Sequence, residues 1–575
     1  MLRITVSLFL LFITQLIFAQ RFPTPFEKGR GVETATYEEA ISFYERLAAR
    51  YPERTRLFTY GTTDAGKPLH LFVVSGSGVF DPDKIREQKL PFMLINNGIH
   101  PGEPCGIDAS MLMIRSLLAS SKFNPVLENM VLGIIPIYNI GGALNRNSTS
   151  RTNQVGPNSY GFRGNARNYD LNRDFLKMDT ENAKTFAQIF HKWLPDVFID
   201  THTTNGADYQ YKMTIIPTRT EKIGPMTSKL MQEKLLPAMY VLEAGTLVGP
   251  YVNMVASTPD GGIAGFLDLP RYSSGYAGLF HTIGMISEAH MLKSFRTRVV
   301  ATNTILTMMI EFVAGNRYEL VKATESDRAA SAKQEIFDIQ WELAKDSNTL
   351  IPFNGYEASY DTSRLTGQLQ LSYNRSKKYT KAIRYFNYYK ATKSIQKPKA
   401  YVIPQAYRAQ IEKLALNGVE LDTVQRDTIM NLEVYYLEGV HTLSRPYEGH
   451  YYHDSVSVRK EIQQIQVFAG DVMVYTDQWR NPFIIHALEP EASDSWFRWN
   501  AFDGVLMQKE YFSGYVFEPE AAQLIENNPE LKKAFEEKKA ADPAFAKSAR
   551  AQLDFIYKRS EHYEKTHMRY PIFRL

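Results

Sequence analysis

The chain has 575 residues, more than one hydrophobic core usually organises, so two or more domains are expected. Apolar residues make up 44% and charged residues 22%, a globular balance that excludes a disordered chain, a collagen-like repeat and a polytopic membrane protein. A formal charge of +4, from 66 Lys and Arg against 62 Asp and Glu, gives no reason to expect nucleic acid as a partner. The single cysteine, Cys105, excludes an intramolecular disulfide and a cysteine-built metal site. Any metal must be held by His, Asp or Glu.

Residues 1–20 read as a secretory signal, with Arg3 as the positive end, residues 8–18 as the apolar run and Ala19-Gln20 as the exit. The run is shorter than the ~20 residues a membrane span needs. An exported chain, periplasmic or extracellular in a bacterium, with no integral membrane span after cleavage, is expected. Residues 37–51 carry apolar side chains at Tyr37, Ile41, Tyr44, Leu47 and Ala48, a helical spacing closed by Pro52. Residues 69–74, 91–96, 130–137, 196–199 and 285–287 read as strands, and 107–118 and 298–314 as helices. Buried strands alternating with helices predict an α/β fold with a mixed, largely parallel central sheet flanked by helices.

Farther along, residues 326–344 read as a charged helix. Residues 364–408 hold eleven Lys or Arg and no Asp or Glu, interleaved with tyrosines. Such a stretch suits a solvated linker or outer face, and its charge could also meet an anionic cell envelope. Residues 430–517 contain strand-like stretches such as 462–468 and 472–475, and 528–558 read as a polar helical tail.

The most informative segment is 96–103 (NNGIHPGE), where a buried strand ends, the chain turns at glycine, and His100 and Glu103 follow. The carboxyl ends of parallel strands are where α/β sheets present ligands. His202 lies just past another buried strand and completes a set of two imidazoles and one carboxylate, which suits zinc with one open position. A third segment, 168–175 (NYDLNRDF), and Glu288 on a late strand complete an ordered series.

On these residues the stretch from about Val32 to Gly315 resembles the zinc metallocarboxypeptidases of the carboxypeptidase A-like family. The resemblance implies one Zn2+ per chain held by His100, Glu103 and His202, lowering the pKa of a bound water and polarising the scissile carbonyl. It implies Glu288 as general base, Asp170 as the carboxylate that orients His100, and Asn172 with Arg173 as the grip on a substrate's terminal carboxylate. Arg151 best matches the arginine beside the developing oxyanion, with Arg146 and Arg163 as competitors. Tyr272 and Tyr276 are candidates for the tyrosine over the substrate; Phe266 fits the spacing but has no hydroxyl. Arg271 could select an acidic terminal residue or simply face solvent. Gly102 stands where the digestive enzymes carry arginine.

The implied division is a signal peptide (1–20), a catalytic domain (21–320), a helical and basic linker (321–400) and a C-terminal α/β accessory region with β structure (401–575). Peptide or protein C-termini are the implied substrates. Two alternatives are a deacylase of N-acyl acidic amino acids on the same zinc fold, and a non-catalytic peptide- or cell-wall-binding protein. In the accessory region Trp496 and Trp499 suit core aromatics better than a ligand platform, and His450 with His453 lacks the partners for a second metal site.

Overall fold

A computed structural model describes residues 22–240 and 247–575; the expected signal segment lies outside them. The strands of the first half are β1 (Thr55–Thr62), β2 (Pro68–Ser75), β3 (Phe92–Asn96), β4 (Val131–Ile135), β5 (Val197–Thr204), β6 (Met213–Pro217) and β7 (Val248–Pro250). After a short pair, β8 (Asn253–Met254) and β9 (Ile263–Ala264), comes β10 (Ile283–His290). Eight of them form one sheet in the order β1-β2-β4-β3-β5-β10-β6-β7. Its centre, β4-β3-β5-β10, is parallel, while β1, β2 and β6 join antiparallel. The expected mixed, largely parallel sheet therefore forms, and β3, β4 and β5 are buried along their whole length because helices cover both faces.

Side-chain alternation along β2 divides the interior into two cores. Phe72 and Val74 pack on one face with α1 (Tyr37–Arg50) and α2 (Cys105–Ala119), whereas Leu71 and Val73 pack on the other with α3 (Glu181–Trp193). A Thr36–Glu39 capping box starts α1. That helix buries Tyr37, Ala40, Phe43, Tyr44 and Leu47, so Ile41 and Ala48 flank its core face instead of filling it. A short helix, α4 (Ser273–Gly278), precedes β10, and α5 (Phe295–Gly315) packs along α2.

Downstream, the expected charged helix at 326–344 is corrected. A helix α6 (Arg317–Lys333) ends early, and β11 (Ile336–Leu343) follows. The overlooked signal is the alternation of Phe337 and Ile339, which bury on one face of an extended chain. The boundary expected at residue 320 falls inside α6. The basic stretch is no linker either: it contains the whole of β13 (Leu369–Phe386), β14 (Tyr389–Gln396) and β15 (Ala400–Ile403). With β12 (Thr349–Thr362), β13 makes a long antiparallel ribbon whose basic side chains stand in solvent. Its base carries Phe353 and Ile383, which bury against Tyr209, Tyr211 and Ile263 of the first half.

The remaining strands are β16 (Asp422–Thr423), β17 (Thr428–Thr442), β18 (His453–Val467), β19 (Val472–Tyr475) and β20 (Phe573–Arg574). Together with β15 they form a six-stranded sheet ordered β16-β19-β15-β20-β17-β18. Between β19 and β20 lie α7 (Asn481–Leu488), α8 (Pro529–Ala541) and α9 (Ala549–Tyr557); the last two occupy the expected helical tail, but the chain returns from them to the sheet. The two halves share one hydrophobic core, in which Phe186, Tyr276 and Phe280 of the first meet Phe483 and Trp496 of the second.

Candidate active site

The parallel register sets the site. β5 and β10 run side by side with His202 opposite Glu288, and His100 and Glu103 follow the turn after β3, the strand on the other side of β5. His100, Glu103 and His202 are buried, with one ligand atom from each within 4.8 Å of the others. The two Nδ1 atoms face each other at 3.2 Å, and Glu103 Oε2 lies 3.2 Å from His202 Nδ1.

Each ring is fixed from behind. His100 Nε2 lies 2.8 Å from Asp170 Oδ1, and His202 Nε2 lies 3.0 Å from Asp200 Oδ2. With each outer nitrogen donating to a carboxylate, each Nδ1 turns its lone pair inward. Asp200 is a residue the sequence reading missed. The available signal was its place two residues before His202 on a strand, which puts both side chains on one face. Asn96 Nδ2 donates to Asp200 at 3.1 Å and holds it in turn.

Electrostatics favours positive charge at this point. Burial opposes charge on His202, but Asp200, Glu103 and Glu288 outweigh it and hold its pKa well above the usual imidazole value. Burial likewise opposes charge on Glu103, yet Arg151 and His100 keep its carboxyl well below the ordinary range. A divalent cation would answer that demand in place of a proton, and the two inward Nδ1 atoms, then unprotonated, with the ionised Glu103 carboxylate are a donor set that fits zinc.

A cavity of about 220 Å³ opens over this cluster. Glu288 lines it, and burial together with the Glu103 charge, against the pull of His202, raises its pKa to about 7. Asn172, Arg173, Tyr272 and Phe266 line it too. Asn172 Oδ1 accepts the Ser273 N–H at 3.1 Å, which leaves the amide NH2 to donate. The Arg173 guanidinium lies over the Tyr272 ring at 4.6 Å. Asp170, beside both His100 and Arg163, is held well below the usual carboxylate range despite its burial.

Two expected positions are corrected. Tyr276 is not at the cavity: one turn of α4 beyond Tyr272, it faces the shared core and donates to Asn417 Oδ1 at 2.6 Å. Arg151 does not line the cavity; it lies behind Glu103 with Nη1 2.7 Å from Oε1. A Cβ on Gly102 would come within 2.8 Å of Arg151 Cδ, so the small residue at 102 makes room for this arginine. Arg163 lines the cavity instead, with a side chain 44% exposed against 15% for Arg151. Arg146 binds the backbone carbonyls of Ala35 and Ser159. Arg271 is neither a selector nor solvent-facing: it pairs with Asp494 at 2.7 Å and lies over Tyr452 and Trp499. Trp496 is buried and donates to Leu176 O, while His450 and His453 pair separately with Asp179 and Asp503. Tyr251 lines the cavity but follows the short edge strand β7, where no spacing rule points to it. Burial and the Glu288 charge push its hydroxyl up to about 12.

Residues 40–210 match the family model described as zinc carboxypeptidase. Carboxypeptidase 2 of Trichophyton rubrum is 21% identical over 489 residues, covering 81% of this chain and 84% of that protein. Carboxypeptidase 2 of Trichophyton equinum is 20% identical over 426 residues, covering 70% and 72%. Among solved structures, a metallo-carboxypeptidase from Burkholderia cenocepacia aligns over 48% of this chain and 70% of that one, at 15% identity and a TM-score of 0.36.

Proposed function

For a chain that belongs, through residues 40–210, to the zinc carboxypeptidase family, and is thus a zinc metallopeptidase, we propose an exported enzyme that releases single residues from peptide C-termini. One observation carries this reading: a single cavity holds the His100, Glu103 and His202 cluster, the Glu288 carboxyl and the Arg173 guanidinium. Export rests on Arg3 and the apolar run at 8–18.

His100, Glu103 and His202 would hold a zinc ion, which when bound would polarise the scissile carbonyl and acidify a water molecule. Arg173 and the Asn172 amide grip the terminal carboxylate of the peptide, which restricts cleavage to the last bond. The terminal side chain lies against Ile216, Tyr251, Phe266 and Ile286, surfaces that favour apolar or aromatic residues. Glu288, with a pKa near neutrality, takes the proton of the attacking water and later delivers it to the leaving amine. Arg163 faces the oxygen on which negative charge develops. Hydrolysis of a blocked dipeptide, its C-terminal amide and N-acyl-aspartate tests this directly. The acid is cut and the amide spared; preference for N-acyl-aspartate would identify a deacylase instead.

A further inference from the structure

The strand pair β17–β18 closes in a tight turn at Tyr447-Glu448-Gly449-His450, and this turn reaches, from the opposite half of the chain, the segment that carries Asp170 and the cavity residue Arg173. Tyr447 and His450 exchange both backbone hydrogen bonds, at 2.8 and 3.1 Å. Glu448 and Gly449 are both left-handed, with φ of 49° and 81°. Two consecutive positive φ values normally select Asn-Gly, so a glutamate at the first position is held by its surroundings against its own preference.

Those surroundings are the site. Glu448 Oε2 accepts the backbone N–H of Asp170 at 2.8 Å, and the Tyr447 hydroxyl accepts from Arg173 Nε at 3.0 Å. A Cβ on Gly449 would come within 2.5 Å of the Tyr169 hydroxyl, so the turn presses closely on the segment carrying Asp170 and Arg173. It is anchored on its far side, where His450 Nε2 lies 2.6 Å from Asp179 and the Tyr447 ring stacks on Trp499 with centroids 5.9 Å apart.

The hydrogen bonds of Arg173 give this contact a consequence. Nε is occupied by Tyr447, and Nη1 donates one hydrogen to Asn172 O at 2.8 Å. Nη1 also lies 3.8 Å from Asp170 Oδ2, and the remaining hydrogens of Nη1 and Nη2 are left for a planar, two-oxygen partner. We propose that Tyr447, contributed by the C-terminal region, is a positioning residue that turns these hydrogens of Arg173 toward the terminal carboxylate of a peptide substrate. The inference rests on the carboxypeptidase reading and extends it: the recognition pocket is completed by a part of the chain beyond the family match.

Tyr447→Phe removes the hydroxyl and keeps the ring stack on Trp499, so the fold is retained. For a peptide with a free C-terminus the variant raises KM about tenfold, the size of one lost hydrogen bond to a charged group, with kcat within about twofold. In an Arg173→Lys background the same change has no further effect on KM, because the partner nitrogen is gone. An unchanged KM in the single variant, or an equal rise in both backgrounds, overturns the proposal. Cleavage of C-terminally amidated peptide by the wild-type enzyme at the rate of the free acid would sink the carboxypeptidase reading itself. Failure of the positioning role alone leaves that acid-over-amide preference intact.

Discussion

Glu288 and Asp200 divide the work at the end of the parallel strands. Glu288 lines the cavity, where the proposed function makes it the base, whereas Asp200 sits behind the His202 ring on the same face of the strand, 3.0 Å from its Nε2. Glu288→Gln therefore lowers kcat by about 10² to 10⁴ with zinc content unchanged; loss of the metal, or undiminished turnover, would contradict a proton-transfer role. Asp200→Asn removes the charged acceptor behind His202 and weakens zinc binding about 10- to 100-fold in competition with a chromophoric chelator. An unaltered affinity would show that Asp200 does not tune the ring. His100, Glu103, His202, Asn172, Arg173 and Glu288 were legible in the sequence, because each lies on or just after a segment whose motif survives without tertiary information. Asp200 was overlooked because an aspartate directly after the apolar run 196–199 also reads as ordinary sheet punctuation, although β5 continues past it to Thr204. The positions of Tyr276 and Arg151 depend on which way a short helix and a loop turn. Spacing does not encode that; only the packing of Tyr276 against Asn417 and of Arg151 behind Glu103 decides it.

Elements show the same division between local and non-local information. The strands around the site were readable because fully buried parallel strands are continuous apolar runs. The β12–β13 ribbon was not, since its solvated faces carry lysines and arginines and only its base buries apolar residues. Helix α2 makes a separate prediction. Asp108 in its first turn is fully buried against Thr34 and the Ala35 N–H, and desolvation outweighs these hydrogen bonds to raise its pKa to about 7. Between the unfolded value near 4 and this folded value, the native state holds a proton that the unfolded chain has released. Stability contributed by the neutral acid is thus present at low pH and declines as pH rises from about 4 to 7, by a few kcal/mol. Asparagine mimics the protonated acid, so Asp108→Asn flattens this decline and raises the melting temperature relative to wild type more at pH 8 than at pH 5. Equal shifts at both pH values would contradict the buried neutral carboxyl.

At the scale of the whole molecule, the C-terminal half is structurally inseparable from the first. Tyr276 bonds Asn417, Trp496 bonds Leu176 O, and Phe280 stacks on Phe483 with ring centroids 5.5 Å apart. A chain cut after α6 leaves these aromatic faces in water and is expected to be insoluble or to lack fixed near-ultraviolet dichroism. Cooperative unfolding of a soluble 22–333 fragment would contradict a shared core. The most direct test of a metal-dependent exopeptidase is mass spectrometry of a defined peptide incubated with the purified chain before chelation, after it, and after zinc is returned. Loss of the last residue, its disappearance with the chelator and its recovery with stoichiometric zinc are expected. Internal cleavage, or trimming that survives complete metal removal, would contradict a site built on His100, Glu103 and His202.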